Sequence, residues 1–252
     1  MRVAAVIPAR MQSTRLPGKP LIEIAGVPMI VRVLERARAC PALGRIIVAT
    51  DSEEILRTVE RAGGEARMTS PSHRTGSDRV AEVAESLSEE MILNLQGDEP
   101  LVPVSTLTAL IGFGEAHPDI VMATAAVPLH EEKDILNPNI VKAVFSPDGR
   151  ALYFSRCPVP YIKAHPLGSG AHMPEGGYRH YKHVGIYLYR RDFLLRFVHL
   201  PPTPLEMAES LEQLRVLEHG YPIHVVPVDE DSVSVDTRED LELVESILAG
   251  RH

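Results

Sequence analysis

Cysteine is nearly missing from this chain of 252 residues, which carries only Cys40 and Cys157. The two stand far apart and form no Cys-x-x-Cys pair, so neither a disulfide framework nor a zinc site is expected. Long apolar runs are missing too. None approaches the ~20 residues that span a bilayer, and the run at 3–7 is cut short by Pro8 and Arg10. The expectation is a protein with no secretion signal and no membrane insertion, working in a reducing cytoplasm. Positive charge is not in excess, for the formal net charge is −8. A general nucleic-acid binder needs a basic face, so no nucleic-acid partner is expected. Asparagine and glutamine are scarce, while proline, at 21, is frequent; this hints at a heat-tolerant source.

What is present is concentrated near the start. The stretch Pro8-Ala-Arg-Met-Gln-Ser-Thr-Arg-Leu-Pro-Gly-Lys19 holds three cations, Arg10, Arg15 and Lys19, with Ser13, Thr14 and Gly18 among them. It follows the apolar run 3–7, which has the composition of a strand buried on both faces of a parallel sheet. A loop leaving such a strand with several cations is an anion-binding candidate. It matches neither G-x-x-x-x-G-K-[ST] nor G-x-G-x-x-G, so P-loop ATPases and Rossmann dehydrogenases are poor readings.

The rest of the first half alternates. A helix from Pro28 to Cys40, a strand at 46–49, a helix capped by Ser52 and closed by Gly63-Gly64, a helix starting at Gly76-Ser77-Asp78, a strand at 91–95, a helix from Pro103 or Ser105 and a strand at 120–127 follow one another. This predicts an α/β fold of right-handed βαβ units, with ligands at the carboxyl ends of the strands. Beyond residue 128 the pattern changes. Segments 141–145 and 151–154 flank Ser146-Pro-Asp-Gly149 and predict a β-hairpin. Residues 161–179 are expected to form a mobile loop, 182–189 a strand, 192–200 a short helix, 204–219 a longer one and 223–228 a late strand. Thr237-x-x-Asp240 resembles a capping box opening a terminal helix. The division expected is 1–128 as a nucleotide-binding half, 129–222 as a second-substrate and dimerisation subregion, and 223–252 as a return to the main sheet, all within one domain.

Asp98 and Asp236 are the best acidic pair, each expected to end a strand. Mg²⁺ prefers one or two carboxylates together with phosphate oxygens, so two distant aspartates beside a basic loop suit a metal–triphosphate site. Asp51 is explained by helix capping. His183 and Tyr187, at even spacing on a strand, share a face. Glu212 and Gln213 are presented from a helix. Arg156 is placed to pair with a substrate carboxylate or to make a structural ion pair. Asp229-Glu-Asp231 matches the very short D-x-D of nucleotide-sugar glycosyltransferases.

The stretch Pro8–Lys19 closely resembles the signature of the 3-deoxy-manno-octulosonate cytidylyltransferase (CMP-Kdo synthetase) family. So do Ile46-Ile-Val-Ala-Thr-Asp51, Gln96-Gly-Asp-Glu-Pro100, Ala151-Leu-Tyr-Phe-Ser-Arg156, His183-Val-Gly-Ile-Tyr187, Leu211-Glu-Gln-Leu-Arg-Val-Leu217 and Val235-Asp-Thr-x-Glu-Asp-Leu241, in the same order along nearly the whole chain. The loop 73–79 follows the family outline with several exchanged side chains, and 162–179 matches poorly. The resemblance implies a Rossmann-like nucleotidyltransferase fold, mostly parallel, with helices on both faces of the sheet and an inserted hairpin and dimerisation region. It implies a homodimer and a Mg²⁺-dependent transfer of CMP from CTP to a 3-deoxy-2-keto sugar acid for lipopolysaccharide assembly. Carried over, Arg10, Ser13, Arg15 and Lys19 hold the triphosphate; Pro8, Ala9, Gly76 and Ser77 line the cytosine site. Arg15, Lys19, Asp98 and Asp236 form the catalytic set, the two aspartates binding metal. Gln96, Arg156, His183, Tyr187, Glu212 and Gln213 hold the sugar acid. A related acid acceptor (8-amino-Kdo or a nonulosonate), a non-catalytic nucleotide-binding homologue and a glycosyltransferase remain as alternatives.

Overall fold

The computed structural model describes residues 2–12, 16–163, 167–168 and 178–250. The apolar run at the start is the central strand β1 (Val3–Ala9). Lys19–Leu21 makes a 3₁₀ turn, and β2 (Glu23–Ile24) and β3 (Val27–Pro28) form a small hairpin ahead of α1 (Met29–Arg38). Alternation continues through β4 (Arg45–Thr50), α2 (Glu53–Arg61), β5 (Glu65–Met68), α3 (Gly76–Glu85), β6 (Met91–Asn94), α4 (Val104–Ala116) and β7 (Met122–Pro128). Then come α5 (Glu132–Leu136), the hairpin β8 (Lys142–Phe145) and β9 (Ala151–Ser155), and the long β10 (Tyr181–Arg190). The chain finishes with α6 (Arg191–Phe197), α7 (Pro204–Glu209), α8 (Gln213–Glu218), β11 (His224–Pro227) and α9 (Arg238–Leu248).

The main sheet runs β11-β7-β10-β6-β1-β4-β5, with β8 joined to β10 and β9 joined to β8. β1 lies parallel to β4 and β6, β4 to β5, and β7 to β11. β10 alone on that path is antiparallel to both neighbours, β6 and β7. Alternate residues of β1 feed two apolar layers. Val3, Ala5 and Ile7 pack with α1, α2 and α4 on one face, and Ala4 and Val6 with α3, α6 and α8 on the other. Helices therefore cover both faces, as the continuous apolar strands require. A third small cluster, with Ile24, Met29, Val235 and Val244, seats the β2–β3 hairpin against α9.

Several expectations need correction. The single helix expected over 204–219 is two short ones, because Ser210 takes a left-handed conformation (φ 52°) that ends α7. Glu212 consequently stands just before α8, without a side-chain capping bond, and Gln213 is its first residue. Asp236 does not end a strand; it precedes Thr237, whose side chain accepts from the Asp240 amide and opens α9. Ser52 caps α2 as expected, accepting from the Ile55 amide at 3.4 Å, but Asp51, explained by capping, instead accepts from Arg79. The edge strand β5 was not expected, since Glu-Ala-Arg-Met is too polar to read as a strand. The loop expected over 161–179 falls largely outside the described residues.

Gly97 matters for the way β1 and β6 deliver their loops. A Cβ there would sit 2.7 Å from the Pro8 carbonyl oxygen, so only glycine lets the two strand ends come together. Gly97→Ala is expected to destabilise the fold by about 1–3 kcal/mol, the usual cost of overpacking. Denaturant titration reads this as a lower midpoint at unchanged slope.

Candidate active site

Three chain segments meet at one cation. Lys19 follows the loop after β1, Asp98 lies in the turn after β6, and Asp236 lies just before α9. The Lys19 ammonium donates to Asp98 Oδ2 at 2.6 Å and to Asp236 Oδ1 at 2.8 Å. Its side chain is only 11% exposed. Burial by itself would lower the Lys19 pKa, but the charges and hydrogen bonds of the two aspartates outweigh it and raise the pKa above the ordinary lysine value. The Val235 amide donates to the Asp98 carbonyl at 2.9 Å, which locks the two acidic segments side by side.

Two cavities share this pair. The first, about 280 Å³, is lined by Pro8, Ala9, Arg10, Lys19, Gly76, Gln96, Asp98 and Asp236, with His73, Thr75 and Arg79 on the α3 side. The second, about 220 Å³, is lined by Asp98, Glu99 and Asp236 together with Asn139, Lys182, His183, Gly185, Ser232 and Ser234. Asp98 and Asp236 thus form the wall between a basic chamber and a smaller one. Ser13 and Arg15, expected to hold phosphates, lie outside the described residues.

In the first chamber the α3 N-terminus is built by a capping box, in which Thr75 and Asp78 satisfy each other's backbone amides. Arg79 is 3% exposed and donates to Asp51 Oδ2 at 2.8 Å and to the Thr69 hydroxyl. Asp51 is therefore a structural counter-ion. Ser77, expected at the cytosine, instead donates to Glu212 Oε2 at 2.5 Å. Gln96, expected at the sugar acid, lines the first chamber and donates to Asn94 Oδ1 at 3.1 Å.

His183 reaches the second chamber because β10 runs antiparallel: its beginning stands at the edge where the parallel strands end. Here β10 bulges, passing from Val184 opposite Ala125 to Tyr187 opposite Thr124. The Thr124 hydroxyl lies 3.0 Å from the Val184 carbonyl, 2.8 Å from the Ile186 carbonyl and 2.9 Å from His183 Nε2. A hydroxyl has one proton. With that proton on a carbonyl of the bulge, His183 must donate from Nε2, which leaves Nδ1 as an acceptor. Burial pushes the His183 pKa down to about 3, so the ring is neutral at physiological pH.

The remaining sugar-acid candidates are not gathered in that chamber. Tyr187 lies behind His183, ring centroids 5.5 Å apart. Burial and the nearby Glu212 carboxyl raise its pKa. Burial also raises the Glu212 carboxyl, against the Ser77 hydrogen bond. Glu212 Oε1 and Gln213 Nε2 are buried without a hydrogen bond among the described residues, Arg215 standing 3.8 Å from Glu212 Oε1, and neither residue lines a chamber. Arg156 is spent elsewhere. Its guanidinium donates to the carbonyls of Glu209 (2.7 Å), Pro138 (3.1 Å) and Ser210 (3.4 Å), and it lines neither chamber. The D-x-D string is also dispersed, with Glu230 accepting from Ser105 and Asp231 pairing with Lys182.

Sequence reasoning missed His73, Lys182, Glu99 and Ser232. Lys182 and Glu99 adjoin residues that were singled out, His183 and Asp98, and that adjacency was the available signal. Ser232 gave none, because its place depends on how residues 229–236 lie over the Asp98 turn.

A mostly parallel sheet whose strand ends carry a cation loop, an acid pair and two adjoining chambers is the architecture of a nucleotidyltransferase. A family model described as cytidylyltransferase matches residues 4–230. A 3-deoxy-manno-octulosonate cytidylyltransferase of Geobacter metallireducens is 47% identical over 97% of this chain and 96% of its own. One from Syntrophotalea carbinolica is 45% identical over 99% and 100%. A solved structure of CMP:2-keto-3-deoxy-manno-octonic acid synthetase complexed with CTP superimposes with a TM-score of 0.91 at 38% identity, covering both chains completely. The chain belongs to the 3-deoxy-manno-octulosonate cytidylyltransferase family.

The buried His183 makes a prediction about pH. In the unfolded chain it takes up a proton near pH 6.5, whereas in the fold it does so only near 3. Its share of stability is therefore complete above pH 6.5 and is lost as pH falls from there toward 3. His183→Gln removes that share. Between pH 7 and pH 5 the variant should lose about 2 kcal/mol less stability than the parent, at 1.36 kcal/mol per pH unit. Urea titrations at the two pH values measure it, and equal losses would show that His183 is not held neutral.

Proposed function

We infer that this protein transfers CMP from CTP to 3-deoxy-D-manno-octulosonate, forming CMP-Kdo and pyrophosphate. The observation that carries this is the acid pair shared by two chambers, one lined by Arg10 and Lys19 for a triphosphate and one reached by His183 for the acceptor. In the reaction the anomeric hydroxyl attacks the α-phosphorus, its proton is lost, and the bond to the β-phosphate oxygen breaks. Holding donor and acceptor on either side of one acid pair turns a two-molecule encounter into a positioned displacement. Lys19, with Arg10 beside it, offsets negative charge building toward pyrophosphate.

We take the reaction to be Mg²⁺-dependent. Among the described residues no three His, Cys, Asp or Glu side chains converge as a metal cage. Two carboxylates that already share one cation are the donor set Mg²⁺ accepts when phosphates complete its shell. Bound by Asp98 and Asp236, the ion would neutralise the triphosphate and polarise the attacking hydroxyl. The Nδ1 acceptor of His183, which lines the second chamber, supplies a hydrogen bond for a sugar hydroxyl.

The same reading assigns the product to lipopolysaccharide assembly and the protein to the cytoplasm. Support for the latter comes from Cys40 and Cys157, both free, with Cys157 exposed, and from the lack, among the described residues, of any helix long and apolar enough to cross a membrane. It also makes the protein a homodimer through 129–222. Supporting this, β9 pairs with β8 and, at its first residue, with Ile223, and among the described residues no further strand lies beyond it; it carries Leu152 at 57% exposure. Sedimentation velocity should give a dimer for the parent and a monomer for Leu152→Glu; a monomeric parent would refute the assignment.

Pyrophosphate release from CTP and Mg²⁺ with a panel of sugar acids tests the activity. Release is expected with 3-deoxy-D-manno-octulosonate. Release only with the 8-amino analogue or a nonulosonate would reassign the acceptor, and none with any acid would sink the enzyme reading. Asp98→Ala should lose turnover at ordinary Mg²⁺, and wild-type turnover there would remove it as a ligand. Lys19→Ala should raise the kcat/KM barrier by about 2–4 kcal/mol, the scale of one preorganised electrostatic donor; an unchanged kcat/KM would remove Lys19 from the site.

A further inference from the structure

Between β11 and α9 the chain passes from 228 to 237 with neither helix nor strand, yet it delivers Asp236 to the site. A backbone without ladder bonds must be fixed by other contacts if its carboxylate is to be held in place. Among the described residues, Ser105 and Lys182 hold it at the surface. Ser105 donates to Glu230 at 2.7 Å, and the Lys182 ammonium bonds Asp231 at 2.8 Å and the Ser232 carbonyl at 3.1 Å. Val235 anchors its end of the strap in the buried cluster with Ile24, Met29 and Val244, and among the described residues one side-chain hydrogen bond of the strap is buried at both ends. Ser232, 3% exposed, donates its hydroxyl to Oε2 of Glu99, 7% exposed. Glu99 is the residue after Asp98, and three residues past Ser232 the Val235 amide binds the Asp98 carbonyl.

We propose that Glu99 and Ser232 form a clasp that sets Asp236 opposite Asp98, making both of them positioning residues for a divalent cation. The clasp and the Val235 amide bond are two tethers between the same pair of segments, one just after Asp98 and one just before Asp236. Two tethers fix both the separation and the relative rotation of the carboxylates, where one would leave a hinge. A buried carboxyl is costly unless hydrogen-bonded, and here the bond is supplied by the strap itself. Docking of the strap and satisfaction of Glu99 are thus a single event. Partners that orient metal ligands typically govern 10–100-fold in affinity.

The inference rests on the metal reading above, and the experiment separates the two. Mn²⁺ binding to the whole protein, without substrates, is followed by electron paramagnetic resonance, and kcat and KM for CTP are measured at saturating metal. Ser232→Ala and Glu99→Ala should each weaken Mn²⁺ about tenfold or more, with KM for CTP essentially unchanged. Glu99→Gln still accepts from the Ser232 hydroxyl and should keep near-parental affinity and turnover, whereas Glu99→Leu, which fills much of the same volume without an acceptor, should weaken Mn²⁺ like Glu99→Ala. Asp98→Ala is the reference. If it binds Mn²⁺ like the parent, the metal reading fails and the clasp with it. If it loses Mn²⁺ while Ser232→Ala and Glu99→Ala do not, the clasp alone is refuted. A Glu99→Gln variant with normal Mn²⁺ affinity but turnover collapsed by more than about a hundredfold would also refute it, pointing to proton transfer by Glu99.

Discussion

Two carboxylates brought together at a protein surface repel each other, by about 4 kcal/mol for unit charges 4 Å apart at an effective dielectric of 20. The fold brings Asp98 and Asp236 together nonetheless, and the Lys19 ammonium between them makes this tolerable. Each of the three comes from a different part of the chain, so the arrangement exists only once β1, β6 and the segment before α9 are all in place. One ammonium thus draws carboxylates from two distant segments into a single site.

The two-sided use of that pair depends on the direction of one strand. In an all-parallel sheet every strand ends at the ligand edge, and only residues that follow a strand can reach it. β10 is antiparallel to β6 and β7, so its first residues arrive at that edge while still in the ladder. Lys182 and His183 are consequently held by sheet pairing rather than by a loop. The bulge after Val184 lets Thr124 take the freed carbonyls and orient the imidazole in one stroke. Insertion of this strand between β6 and β7 ties residues of the 129–222 segment into the same sheet as β1.

Much of this was legible in the residue pattern because burial on both faces leaves a plain mark. The runs at 3–7, 46–49 and 91–95 could be little else than central strands, and the Ser-Pro-Asp-Gly turn fixed the hairpin. Capping chemistry carried the entry to α9, where Thr237 with Asp240 does what its spacing implies; the start of α3 at Gly76 was legible, but the Thr75–Asp78 box that builds it was not singled out. Failures had equally definite causes. Ser210 breaks a helix through a left-handed conformation that propensity assigns to glycine or asparagine. β5 is a polar edge strand. Arg156 looked free to bind a carboxylate, but three backbone carbonyls take its guanidinium, and no local pattern announces such contacts.

The acidic residues show why sequence proximity misleads about which carboxylates converge. Asp229, Glu230 and Asp231 are consecutive and match a metal-binding string, yet successive side chains of an extended strap point different ways. Glu230 turns to Ser105 and Asp231 to Lys182. Their work is to fasten the strap. Asp236, isolated in sequence from any other strong candidate, is the residue that meets a second carboxylate, because convergence on one cation requires side chains arriving from separate directions. The strap thus divides its acids by contact, Glu230 and Asp231 at its beginning fastening it so that the last one, Asp236, is held beside Asp98 on Lys19.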